Sequence, residues 1–140
     1  MAMKTDVNLV FSGSCREAFA FYEKTFGSKI GITMTYGDAP AGSPVPPGSK
    51  DLVMHTAMPL GSTLLMGCDA PPERTPTFGG FQISVSDPNE DEVKRIYAAL
   101  SEGGSVQMPL TQTFWSPLFG MCTDKFGLGW MVGVPGPSPA

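Results

Sequence analysis

Hydrophobic positions along the chain switch between strand and helix spacing in an order that occurs twice. Val7 to Phe11 is a short apolar run and predicts a buried strand. From Ser14 to Phe26, Cys15, Ala18, Phe19, Tyr22 and Phe26 recur at the i, i+3, i+4, i+7, i+11 spacing that lines one face of a helix. Gly27 suits the left-handed position beyond its end. Ser28 to Tyr36 alternates Ile30, Ile32, Met34 and Tyr36 against smaller or polar residues, which is strand periodicity. Two more strands are expected at Asp51–Pro59 and Ser62–Cys68, around a turn at Leu60-Gly61. The second half repeats the order. A strand over Gly80–Ser86 precedes a helix over Pro88–Ser101 that buries Val93, Ile96, Tyr97 and Leu100. Strands at Ser105–Pro109, Phe119–Thr123 and Gly129–Val134 follow.

Each helix opens on an oxygen-bearing residue followed three positions later by Glu: Ser14-Cys15-Arg16-Glu17, then Asp87-Pro88-Asn89-Glu90. That spacing predicts a capping box, in which two orphan amides are satisfied reciprocally. The openings at 14 and 87 lie 73 residues apart in a 140-residue chain, so the pattern reads as an internal duplication of one βαβββ unit. The expected fold is α+β: two tandem βαβββ modules, eight mainly antiparallel strands forming a curved sheet or half-barrel, with two helices outside. The modules span 1–69 and 79–134, with a linker at 70–78 and a tail at 135–140. The Pro/Gly-rich stretch 37–50 holds four prolines and three glycines, which exclude regular structure and suggest a functional flap or a disordered loop.

Composition narrows the partners. A formal charge of −4 with no basic stripe argues against nucleic acid. No run approaches the 18 apolar residues of a membrane span, and the first residues lack a hydrophobic signal core, so a soluble cytoplasmic protein without a membrane partner is expected. Three widely spaced cysteines (Cys15, Cys68, Cys122) supply neither a disulfide framework nor a thiolate zinc site. They are expected to be reduced and mostly buried. Nine Met and nine Phe suit an irregular apolar core or an adaptable apolar pocket.

Candidate chemistry is sparse. His55 is the only histidine and lies mid-strand, where a hydrogen-bonded structural role is the commoner one. Gln82 and Ser84 share a face with Gly80 by period-2 alternation and point into the second-half cavity. Cys68 is a candidate nucleophile only with His55 beside it. Glu23 and Glu73 are carboxylates without an evident partner. Asp69 and Asp124 occupy turn positions, where such side chains bond nearby amides. Trp115, Phe114, Phe119, Phe126 and Trp130 crowd into 17 residues with Met108, Met121 and Met131 nearby. Trp115 precedes Ser116-Pro117, a strand stop, which would set its indole at a cavity mouth. With Tyr36, Met54, Met58 and Met66 it could line an apolar pocket.

The duplicated unit, with Phe21-Tyr22-Glu23-Lys24 and Phe26-Gly27 in its first helix, resembles the vicinal oxygen chelate superfamily. That group includes glyoxalase I, bleomycin- and fosfomycin-resistance proteins and extradiol dioxygenases. Leu65-Met66-Gly67-Cys68-Asp69, Thr113-Phe114-Trp115, Phe119-Gly120, Thr123-Asp124-Lys125-Phe126-Gly127 and Trp130-Met131 are similar to its PhnB-like branch, which carries a demethylubiquinone methyltransferase-like label. An S-adenosylmethionine enzyme would need a glycine-rich strand-to-helix turn. Gly79-Gly80 precedes a strand and Gly103-Gly104 ends a helix, so that label is set aside.

The resemblance implies four His, Glu or Gln ligands to one divalent ion, on the first and last strands of each half. The matching positions are Val7 or Asn8, Leu65 or Met66, Gly80, and Met131. Apolar side chains there cannot hold a hard cation. The expectation is therefore a homodimer without the usual metal site and without a cofactor, binding an unknown small molecule in an apolar cavity. His55, Gln82, Ser84, Trp115, Met66 and Met131 are its candidate ligand-binding residues. The alternatives are a divalent-metal lyase, isomerase or dioxygenase with a degenerate set around His55 and Gln82, and a structural dimer with a vestigial cavity.

Overall fold

The computed structural model describes residues 2–137. They form two compact units, Met1–Thr77 and Phe78–Ala140, each a four-stranded sheet with one helix on one face. The first contains β1 (Val7–Phe11), α1 (Cys15–Phe26), β2 (Ile32–Thr35), β3 (Val53–Leu60) and β4 (Thr63–Asp69). The second contains β5 (Ile83–Ser86), α2 (Glu90–Ser101), β6 (Ser105–Thr111), β7 (Phe119–Thr123) and β8 (Gly129–Gly133). The strand orders β1-β4-β3-β2 and β5-β8-β7-β6 are the same arrangement met twice. In each, the outer first strand pairs parallel with the fourth and the remaining pairings are antiparallel. The duplicated α+β architecture expected from the sequence is thus present, as two separate hydrogen-bonded sheets. Of the expected linker 70–78, residues 70–77 group with the first unit and Phe78 with the second. Ala70 is buried and donates to Phe11 O, while Pro76 O accepts from Ser12 Oγ. Of the expected tail, residues 138–140 lie outside the described residues.

Both helices bury the faces that their spacing marks. Cys15, Ala18, Phe19 and Tyr22 of α1 are buried against β3 and β4, although Thr25 rather than Phe26 completes the buried stripe. Gly67 admits the helix: a Cβ there would lie 2.9 Å from Phe19 Cζ and 3.1 Å from Cys15 Sγ. Gly120 does the same for Tyr97 of α2, whose ring carbon would meet that Cβ at 2.7 Å. Tyr97 then donates its hydroxyl to Met108 O. The buried Trp130 donates its indole N–H to Asp124 Oδ2 at 2.8 Å, and Asp124 Oδ1 accepts from Phe126 and Leu128 amides in the β7–β8 turn.

The helix starts depart from the expected capping boxes. Asn89, not Asp87, caps α2, accepting from the Asp91 and Glu92 amides, while Asp87 Oδ1 accepts from Asn89 N. At α1 the Ser14 side chain makes no capping bond. Its place is taken from a distance by Asp69, whose Oδ1 accepts from Gly13 and Cys15 amides, each at 3.0 Å. Asp69 Oδ2 accepts from Val53 N at 2.9 Å. Asp69 is therefore a long-range strut at the end of β4 and not a turn residue bonding its neighbours. Glu23, expected without a partner, accepts from Ile30 N at 2.7 Å and ties the connection after α1 back to the helix.

Strand ends also shift. β2 begins at Ile32, and Tyr36 belongs to a short 3₁₀ turn, Tyr36–Asp38, at the start of the Pro/Gly-rich stretch expected to lack regular structure. That stretch is pinned at its base, because Gly37 N donates to Lys50 O, Tyr36 N to Leu52 O, and Ser49 is fully buried. β5 begins at Ile83, since Gly80 has φ +75° and cannot continue the strand without a break. β6 runs on to Thr111 through Pro109, which an edge strand with register shifts tolerates.

All three thiols are free, and Cys15 and Cys122 are buried. Burial, reinforced by the Asp69 carboxylate, pushes the Cys15 thiol far up from its ordinary 9.0. Burial, then Asp124, pushes Cys122 up to about 11. Both must stay protonated in the folded state, so their contribution is fully present below the unfolded pKa and is lost as pH rises past it.

Two outcomes follow from these contacts. In urea unfolding, Asn89→Ala should cost about 1 kcal/mol, whereas Ser14→Ala should cost less than about 0.5 kcal/mol. Equal losses would mean that Ser14 caps after all. Unfolding free energy should fall as pH rises above about 9, with a shallower fall in Cys15→Ala. A pH-independent value between pH 8 and 10.5 contradicts the buried-thiol assignment.

Candidate functional site

Each helix covers one face of its sheet, and the residues of interest lie on the other. In the first unit Leu9, Phe11, Leu65 and Met58 turn toward α1 and are buried. Alternation then places Asn8 and Val10 of β1 with Met66 and Cys68 of β4 on the opposite face, in the pairs Asn8↔Met66 and Val10↔Cys68. Met66 pairs in turn with Ala57, and Ala57 with Ile32, which completes a row of four across the sheet. This face is only partly covered: Asn8 and Ile32 are exposed, and Met66 and Cys68 are half-buried. Met58, expected in a pocket lining, is instead core.

His55 lies on the same open face. It pairs with Met34 of β2, and it stands one position before Thr56, whose partner is Gly67. Cys68 follows Gly67, so His55 and Cys68 occupy neighbouring positions on adjacent strands. The register shifts here, because Thr35 pairs with Val53 while Met34 pairs with His55. The extra β3 residue, Met54, is a bulge, and it is why both Val53 and Thr56 reach the core. Asn8 Nδ2 lies 3.8 Å from Cys68 Sγ as donor to the sulfur. Tyr36 donates its hydroxyl to Asp69 O at 3.0 Å. Its phenol is pushed up by burial, then by Cys68 and Asp69. At the far end of β2, the Thr35 backbone and side chain lower the Asp38 carboxyl.

The second unit repeats the row with different residues. Ser84 pairs with Met131, Met131 with Met121, and Met121 with Met108, so three thioethers and one hydroxyl cross β5, β8, β7 and β6 on the face away from α2. The three methionines are half-buried and Ser84 is exposed. Gln82, just before β5, lies over Gly129 on that face, where a Cβ would meet its Cγ at 3.2 Å. Within this unit the structure thus gathers Gln82, Ser84 and Met131 on one sheet face. In the first unit His55 and Met66 share the corresponding face.

Trp115 lies in the loop between β6 and β7, outside the strands that carry the second unit's row. Thr113 Oγ1 accepts from the Trp115 and Ser116 amides, and the buried Ser116 hydroxyl bonds Leu118 O and Val134 O. This rigid turn presents Phe114, which is 97% exposed, and Trp115, 47% exposed, stacked edge to face. Trp115 also meets the buried Phe119 ring at 5.5 Å. Of the aromatic cluster noted in the sequence, Trp130 and Phe119 are core, and only Phe114 and Trp115 are presented outward.

The positions that the resemblance marks for metal ligands can be read from the strand pairing. The equivalent open-face pairs on the first and last strands of each unit are Asn8 with Met66 and Ser84 with Met131. An amide, a hydroxyl and two thioethers offer neither charge nor imidazole to a divalent ion. Among the described residues no group of three or more His, Cys, Asp or Glu comes together as a metal site. The fifth-strand position that the resemblance matched to Gly80 lies before β5, which begins at Ile83, and it is Ser84 that pairs with Met131. None of the described helices is long and apolar enough to cross a membrane.

Residues 5–132 match the family model of the glyoxalase/bleomycin resistance protein/dioxygenase superfamily. The chain is similar to Protein YjdN of Escherichia coli (strain K12), at 29% identity over 134 residues that cover 90% of this chain and 91% of YjdN. Among solved structures it is similar to protein PA1353 from Pseudomonas aeruginosa, with TM-score 0.86 and 38% identity, covering 96% of this chain and 98% of that one. A PhnB protein from Bacillus cereus follows, with TM-score 0.78 and 26% identity, covering 94% and 99%. Twice-repeated βαβββ order, matched over nearly its full length, makes this chain a member of the glyoxalase/bleomycin resistance protein/dioxygenase superfamily, in its PhnB-like branch.

Proposed function

We propose that the protein binds an apolar or aromatic small molecule on the open face of its second sheet, as a homodimer and without the superfamily's hard-cation site. The observation that carries this reading is the row Ser84–Met131–Met121–Met108. Half-buried thioethers on a rigid sheet form a polarizable apolar floor that adapts to ligand shape, and thioethers contact aromatic rings favourably. Gln82 and Ser84 at one end of the row supply the few polar anchors that such sites use to orient a ligand. Trp115 adds an exposed indole held by a stiff turn.

The competing reading is a divalent-metal enzyme built around His55 and Gln82. It is disfavoured by the donor set, because the paired positions carry Asn8, Met66, Ser84 and Met131. No reaction step is assigned. The homodimer rests on the superfamily likeness, and sizing of the purified protein checks it: a clean monomer removes that part of the proposal.

A thermal-shift screen with aromatic and amphiphilic compounds tests the binding directly. A ligand at about 100 times its dissociation constant should raise the unfolding free energy by about 2.7 kcal/mol and the midpoint by several degrees. The shift should disappear in Met121→Gln and persist in Ile32→Gln. A screen without hits, or hits indifferent to Met121, contradicts the proposal. So does a stoichiometric divalent metal in the purified protein that is lost in His55→Ala.

A further inference from the structure

The first unit's open face differs from the second in one chemical respect: it adds a thiol and an imidazole to the thioethers. We propose that this face binds a single copper(I) ion, with Cys68 and His55 as its strong donors and the thioethers of Met34 and Met66 beside them. The placement is fixed by register. His55 pairs with Met34, Cys68 pairs with Val10 on β1, and the antiparallel register that pairs Thr56 with Gly67 puts the next positions, His55 and Cys68, opposite one another on adjacent strands. Side chains that face one another across neighbouring strands have Cβ atoms about 4.5–5.5 Å apart, a span that one ion between a sulfur and an imidazole nitrogen can bridge. All four residues are half-buried, so the face is reachable yet partly screened from water. Cys68 is free of any disulfide and already draws the Asn8 amide to 3.8 Å, while Cys15 and Cys122 are sealed in the two cores.

The donor set selects the ion. Thiolate and thioether ligands favour copper(I), whereas structural zinc wants four closed thiolate, imidazole or carboxylate donors. Only one thiol and one imidazole are present here, and thioethers are poor zinc ligands. Binding forms a Cys68 sulfur–copper bond and releases the thiol proton to the buffer. The copper stays monovalent, so no electron acceptor or donor is required. This site is independent of the small-molecule proposal, whose central row lies in the second unit.

Anaerobic titration of the reduced protein with copper(I), in competition with bicinchoninate, tests it. The wild type should withdraw one equivalent, and Cys68→Ser and His55→Ala should each weaken binding at least tenfold. Cys122→Ala, altered only in the second unit's core, should bind as the wild type does. Circular dichroism of each variant separates loss of a donor from loss of fold. Absence of competition by the folded wild type, wild-type affinity in Cys68→Ser, or tighter binding of zinc than of copper(I) would each overturn the assignment. Thermal shifts by organic ligands should be unchanged in Cys68→Ser, so the two proposals fail separately.

Discussion

The first unit depends on one buried carboxylate. Asp69 ends β4 and is 2% exposed, yet it receives three backbone N–H groups from two other places in the chain. Two belong to the turn that starts α1 and one to the start of β3. A buried charge is tolerable only when hydrogen bonds replace water, and these three do so. The same bonds fix where α1 begins relative to β4. They thereby set which strand face the helix covers and which face is left open.

The second unit reaches the same architecture by other means. There the helix is capped locally by Asn89, and the buried carboxylate, Asp124, serves the β7–β8 turn and the Trp130 indole. Duplication conserved the strand order and the helix faces while the polar anchors diverged. The open faces diverged in parallel: both keep a thioether on the fourth strand, Met66 and Met131, but only the first adds His55 and Cys68. Two copies of a scaffold can in this way carry different recognition chemistry on equivalent positions.

Much of the fold was legible in the sequence because amphipathic helices announce themselves. Val93, Ile96, Tyr97 and Leu100 are buried as their spacing requires, and Gly27 takes its left-handed cap with φ 68°. Asp69 was not legible, since its partners lie 16 to 56 residues away and nothing local distinguishes it from a turn aspartate. Ser14 carried a capping signature that lost to that longer-range acceptor. The orientation of the candidate residues was partly legible. Alternation placed Gln82 with Ser84 but could not separate Met58, which is core, from Met66, which is not. A bulge at Met54 resets the alternation of β3, so which residues accompany His55 depends on pairing with β2 and not on the pattern of β3 itself. The pairing of Cys68 with Val10, beside His55, likewise exists only once strands are registered.

The central structural claim is that the Asp69 carboxylate holds α1, β3 and β4 together, and equilibrium urea unfolding of Asp69→Asn tests it most directly. The substitution keeps the shape and one acceptor but removes the charge and turns a donor amide toward Val53 N. A loss of about 2–4 kcal/mol is expected, with the denaturant dependence unchanged. A loss below about 0.5 kcal/mol would contradict the claim and return the start of α1 to local capping.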